Sequence, residues 1–138
     1  MICLSIPGLP VGKGRPRITR NKIAYTPKQT RTQEAFIKAL FVQKYPGHVI
    51  LDGPLEMTVL AFFPIPKSAS KSAKNSMILG GTFPTRKPDA DNLLKVFMDA
   101  LSGLAYRDDA QIVSVMLDKR YSENPHAEVK ITAPGEEE

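Results

Sequence analysis

Residues 87–111 read KPDADNLLKVFMDALSGLAYRDDAQ, and this stretch holds one helix and most of the chain's candidate chemistry. Leu94, Phe97, Met98 and Leu101 recur at helical spacing, and Gly103 supplies the stop. Asp89 and Asp91 stand at the helix start, and Asp108 and Asp109 return after the helix and a short loop. If Pro88 keeps the approach extended, the first two carboxylates project to one side, and a helical hairpin would carry the second pair back beside them. Crowded carboxylates repel unless they are protonated or bridged by a cation. With no His or Cys nearby, the donors are hard oxygens, suited to Mg²⁺ or Mn²⁺ rather than zinc. Such an ion activates water and neutralises charge on a phosphate, which is the chemistry of phosphodiester hydrolysis.

Each of these residues also has a plain structural reading. Asp91 suits the cap of a helix starting at Asn92, and taken alone capping is the simpler account. Asp89 after a proline and Asp108-Asp109 after Arg107 are ordinary turn residues. Lys95 stands one helical turn from both Asp91 and Asp99, so surface ion pairs explain it. Spacing alone leaves both readings open.

Outward from this segment the chain reads as alternating strands and helices. Ile2, Leu4 and Ile6 predict a strand ending at Pro7, and the Gly-, Pro- and Arg-rich residues 8–21 predict a loop. Lys22 to Tyr25 fits a short strand. Thr26 then caps a helix with Pro27 at its first position and Gln29 at its third, with Phe36, Ala39 and Leu40 as its apolar face and Gly47 beyond its end. Leu55, Met57, Val59, Ala61 and Phe63 form a strand stopped by Pro64. Residues 64–88 read as a long basic loop with a short helix near Ser70 to Leu79. After the Asp108-Asp109 turn, one strand presents Val113, Val115 and Leu117 and another Ala127, Val129 and Ile131, expected to pair as a hairpin across Glu123 to Pro125. Phe36, Phe97 and Met98 read as core, and His48 and His126 as surface residues. The expected fold is a single α/β (α+β) domain over residues 1–135, with one mixed sheet of about four strands and two main helices. An acidic, disordered tail is expected at residues 136–138.

Charge is distributed unevenly. The chain of 138 residues carries a net +5, yet its first 33 residues are acid-free and hold Lys13, Arg15, Arg17, Arg20, Lys22, Lys28 and Arg31. A second acid-free stretch, Met57 to Pro88, carries Lys67, Lys71, Lys74, Arg86 and Lys87, while five of the fourteen acids fall between Asp89 and Asp109. Basic flanks around an acidic centre suit a polyanion drawn towards a metal site. Gly12-Lys13-Gly14-Arg15-Pro16-Arg17 lacks the Gly-Lys-Ser/Thr ending of a nucleotide loop, but its cations and flexible glycines suit DNA phosphates. No apolar run approaches a membrane span, and the first residues lack the basic start of a secretion signal. The lone Cys3 excludes an internal disulfide and fits a reducing compartment, so a cytoplasmic location is expected.

The sequence resembles the RusA family of Holliday-junction resolvases. The likeness rests on Asp89-Ala90-Asp91-Asn92-Leu93-Leu94-Lys95, then Asp99-Ala100-Leu101, then Asp108-Asp109-Ala110-Gln111. It extends to Pro66-Lys67-Ser68, Arg86-Lys87-Pro88, the Gly12–Arg17 stretch and Tyr25-Thr26-Pro27. The resemblance implies a structure-selective endodeoxyribonuclease that resolves four-way junctions with Mg²⁺ and acts as a homodimer. It implies Asp89, Asp91 and Asp109 as metal ligands and Lys95 as the catalytic lysine, with Asp108 ranked below Asp109 and Asp99 as a structural partner. Lys13, Arg15, Arg17, Lys67, Lys71, Arg86 and Lys87 are the expected DNA contacts. Two other readings remain: a non-catalytic DNA-binding recombination accessory protein, and a nuclease acting on flaps or forks.

Overall fold

The computed structural model describes residues 1–15, 17–25 and 27–136, and the backbone alone of Arg17 and Tyr25. Strands β1 (Ile2–Pro7), β4 (Leu55–Pro64), β5 (Ile112–Ser122) and β6 (His126–Thr132) form one mixed sheet in the order β1-β6-β4-β5. β6 runs antiparallel to both β1 and β4, and β5 runs parallel to β4. Two-residue strands β2 (Arg17–Ile18) and β3 (Ala24–Tyr25) make a separate hairpin. Helices α1 (Lys28–Lys44) and α3 (Ala90–Leu101) flank a shorter α2 (Lys71–Ile78) in sequence.

Period-two alternation explains the sheet. Ile2, Leu4 and Ile6 of β1, Leu55, Met57 and Val59 of β4, and Ala127, Val129 and Ile131 of β6 all turn inward into one core. Ile37 and Phe41 of α1 and Val96, Phe97, Ala100 and Leu101 of α3 close over the same face. Ser70 caps α2, its side chain accepting from the Ala73 N–H at 3.1 Å, so the short helix expected in the basic loop is present. No described helix is long and apolar enough to cross a membrane.

Several expectations are corrected. β5 and β6 do not pair, because β4 lies between them. β4 stops at Pro64, level with Ser122, and residues 123–125 cross its end to enter the sheet on the far side. β6 has a strand on either side, β1 and β4, whereas β5, with Val113 and Val115 exposed, is an edge. On α1 the inward stripe is Thr30, Ile37 and Phe41 rather than Phe36 and Ala39, and Phe36 is exposed. A helix of mixed polarity admits more than one stripe, and docking against α3 selected this one. α1 opens at Lys28 with Pro27 before it, and the expected cap, Thr26, lies outside the described residues. Phe97 is buried, and Met98 is packed against the core.

Both histidines are half-buried rather than plain surface residues. His48 Nε2 is 3.0 Å from the Ala105 carbonyl and its ring meets Phe41 edge-on, while His126 stacks on Phe62. In the acidic tail, Glu136 is tied to the Met1 ammonium at 3.0 Å and to the Ala133 N–H, whereas Glu137 and Glu138 lie outside the described residues.

Candidate active site

Asp89 and Asp91 begin α3, but not as the sequence suggested. The helix starts at Ala90, so Asp89 holds the capping position with extended backbone, and Asp91 lies within the first turn. The Asp89 side chain makes no cap hydrogen bond. Asp91, expected as the cap, does not cap the helix, and its carboxylate is 70% exposed. Lys95 lies one turn on, its Nζ 4.0 Å from Asp91 Oδ2 and largely in solvent. Both carboxylates are thus free of the structural duty that Asp most often performs at a helix start.

At the other end of α3 the backbone turns at Ser102–Gly103 and buries Tyr106 completely. The Tyr106 hydroxyl lies 3.0 Å from Asp109 Oδ1, to which it donates, and 3.3 Å from the Met98 carbonyl. Burial, with the Asp109 charge beside it, pushes the phenol far above its ordinary range, so it stays a donor. Asp108 does something different. Its carboxylate accepts from the Ala110 N–H, and Gln111 Oε1 accepts from the Arg107 and Asp108 N–H groups, closing a capping box around the single 3-10 turn Asp109–Gln111. Gln111 Nε2 donates to the Leu51 and Gly53 carbonyls, locking this turn to the segment before β4. Asp108 thus serves the turn itself, whereas Asp109 is held by Tyr106. The roles of Tyr106 and Gln111 were missed, although the Asp108-x-x-Gln111 spacing is a legible cap signal.

The basic residues gather partly around the first acidic pair. Lys13, Arg15, Lys87 and Asp89 line one open groove of about 530 Å³, walled by Pro88, Asn92 and Gln29. The Lys13 N–H donates to the Asn92 carbonyl at 2.8 Å, and a Cβ at Gly12 would sit 2.5 Å from Pro88 Cβ, so this approach requires glycine. Lys13 itself is engaged internally, with Nζ 2.8 Å from Glu34 and 3.0 Å from Asp99. Arg86 and Lys87 also border an adjoining hollow with Pro66. Lys67 and Lys71 are exposed at and before the start of α2. The Arg17 side chain lies outside the described residues.

The expected hairpin does not bring the acids together within one protomer. Among the described residues, no three His, Cys, Asp or Glu side chains are grouped to hold a metal ion. The reason is length. Asp91 and Met98, to which Asp109 is tethered through Tyr106, lie roughly 10 Å apart along the helix axis.

Known proteins resemble this chain over most of its length. It is 38% identical over 135 residues to an uncharacterized protein, YqaN, of Bacillus subtilis (strain 168), covering 94% of each. Residues 7–132 match the family model described as Endodeoxyribonuclease RusA, a span that takes in β4, β5, β6 and α3 whole but only the last residue of β1. The chain therefore belongs to the RusA endodeoxyribonuclease family.

Proposed function

We propose that this protein is a divalent-metal-dependent endonuclease that cuts branched DNA, with the four-way junction as its substrate. The observation that carries this reading is the pair of carboxylates that make no cap hydrogen bond, Asp89 and Asp91, of which Asp89 lines a groove with Arg15 and Lys87, in a chain of this family. Arg15 and Lys87 bind and orient the phosphodiester backbone. Lys95 adds a positive charge one turn from Asp91, where negative charge develops on a phosphate under attack. Asp89 and Asp91 would be hard-oxygen donors for Mg²⁺ or Mn²⁺, which when bound would supply an activated water and charge neutralisation, and Asp109 would complete the set only across a homodimer, since one copy holds it at the other end of α3. Tyr106 holds Asp109 in one orientation and carries no proton of the reaction, since its phenol does not ionise in the working range.

The second reading, a DNA-binding accessory protein without catalysis, is favoured by the separation of Asp109 from the first pair within one protomer. One assay separates the two. Four-way junction, flap, duplex and single-stranded DNA are incubated with the protein in Mg²⁺ or Mn²⁺, alongside Asp91→Asn. Selective cutting of the junction, lost in Asp91→Asn with binding retained, is the expected result. Junction binding without cleavage in either metal would leave the accessory role. Preferential cutting of flaps would reassign the substrate.

A further inference from the structure

We propose that Lys119 of β5 is a positioning residue for the acidic site: its ammonium holds the Arg86 carbonyl and so fixes the turn from which Asp89 enters α3. The consequence for metal binding rests on the nuclease reading, and the fastening itself does not. Side chains alternate along a strand, so Lys119 shares a face of β5 with Leu117 and Tyr121. Ala61, its register neighbour on β4, is fully buried, and Ala61, Phe63 and Leu93 form a small cluster against which Leu117 and Tyr121 pack. An apolar residue at position 119 would simply extend that cluster. Lys119 is instead half-buried, its Nζ 5.6 Å from the centre of the Phe63 ring and 2.6 Å from the Arg86 carbonyl, to which it donates. The stem crosses apolar surface and the charged head ends on one backbone oxygen.

That oxygen belongs to the segment that delivers the site. Residues 83–88 lead directly into Asp89, and among the described residues no other hydrogen bond reaches their backbone. The segment is otherwise held by packing, through buried Pro84 and through Pro88 against Gly12. Between those two prolines, Arg86 and Lys87 are exposed, and the Lys119 contact is the one polar anchor recorded there.

Strand and helix supply the rigid frame for this anchor. Leu93, in the second turn of α3, belongs to the cluster on which the Lys119 face of β5 rests, so the start of the helix is fixed relative to that strand. Lys119 then ties the loop between them to the same frame. Asp89 lies three residues beyond Arg86, and its carboxylate makes no cap hydrogen bond that would orient it. With the Arg86 carbonyl held, the approach presents Asp89 and the Arg86 and Lys87 cations in one arrangement. With it released, they spread over several, and a bound cation or phosphate must select among them.

The test compares Lys119→Met, which keeps an apolar stem but no donor, with Lys119→Arg, which keeps the donor, in the full-length protein. Limited trypsin digestion with mass spectrometry reads the held carbonyl directly, because trypsin cuts after Arg86. That cut should be about fivefold faster or more in Lys119→Met, with the cut after Lys44, at the end of α1, unchanged. Mn²⁺ binding, followed by electron paramagnetic resonance, should weaken by about 10-fold. In junction cleavage, kcat should fall by about 10- to 100-fold while KM for DNA stays within about threefold. Lys119→Arg should recover most of each loss. An unchanged cut at Arg86 overturns the fastening. Equal acceleration at Arg86 and Lys44, without rescue by arginine, makes Lys119 a general support of the fold and also overturns the proposal. Unchanged Mn²⁺ binding, or none in the wild type, overturns the link to the acidic site. A wild type that binds Mn²⁺ but cuts no DNA overturns the nuclease reading alone, and the trypsin and Mn²⁺ comparisons still decide the role of Lys119.

Discussion

Tyr106 joins the core to the acidic turn: its ring is fully buried, and its hydroxyl reaches both the end of α3 and Asp109. Because burial and the neighbouring carboxylate hold its pKa far above the ordinary value, it does not ionise in the native protein. The absorbance change of the native protein at 295 nm between about pH 9 and 11 should therefore be the same in wild type and Tyr106→Phe. The substitution should cost about 1–3 kcal/mol in urea denaturation, since Asp109 and the Met98 carbonyl lose their donor. Lys13 gives a second test. Burial works against its ammonium, but hydrogen bonds and charge from Glu34 and Asp99 prevail, and its pKa is raised above 10.5. The folded state then binds the proton more tightly than the unfolded chain. Its contribution is complete below pH 10.5 and is lost as the pH rises through the elevated value. The difference in melting temperature between wild type and Lys13→Met should be constant near neutrality and shrink in strong alkali.

At the scale of elements, the site depends on loops fastened to the ends of α3. Gln111 clamps the turn after the helix, and the Lys13 N–H fastens the amino-terminal loop to Asn92 at its start. Gly12 is the tight point, with Pro88 where a side chain would stand. Gly12→Ala should push the loop off Pro88, destabilise the fold by about 1–3 kcal/mol and weaken DNA binding in a filter or fluorescence assay. Unchanged stability and binding would show that the loop does not shape the groove. The clamp residues were partly legible. The Asp108-to-Gln111 spacing is a capping box in sequence, but its reach to Leu51 and Gly53 joins segments far apart in the chain.

For the whole molecule, the distribution of charge sets how it meets DNA. Arg15 and Lys87 share the groove with Asp89, so their removal should reduce affinity for every DNA shape and flatten its salt dependence. In titrations across salt concentrations, the slope of log K against log salt should fall by roughly 0.9 for each phosphate that is no longer neutralised. Lys13→Met should change that slope little, because its ammonium already faces two carboxylates. A slope unaltered by Arg15→Ala/Lys87→Ala would place the DNA elsewhere.

Local pattern determined the elements. Alternation marked β1, β4 and β6, helical spacing and Gly103 marked α3, and Ser70 marked α2 within a basic loop. The motif at residues 89–111 also pointed to the family that the comparison then showed. These signals lie within a few residues of one another, so the chain carries them without folding. Only the tertiary structure decided that β4 separates β5 from β6, that Ile37 rather than Phe36 faces inward, and that Tyr106 holds Asp109 at the opposite end of α3 from Asp89. Each depends on which surfaces meet once helices dock on a sheet, and spacing along the chain does not encode that choice.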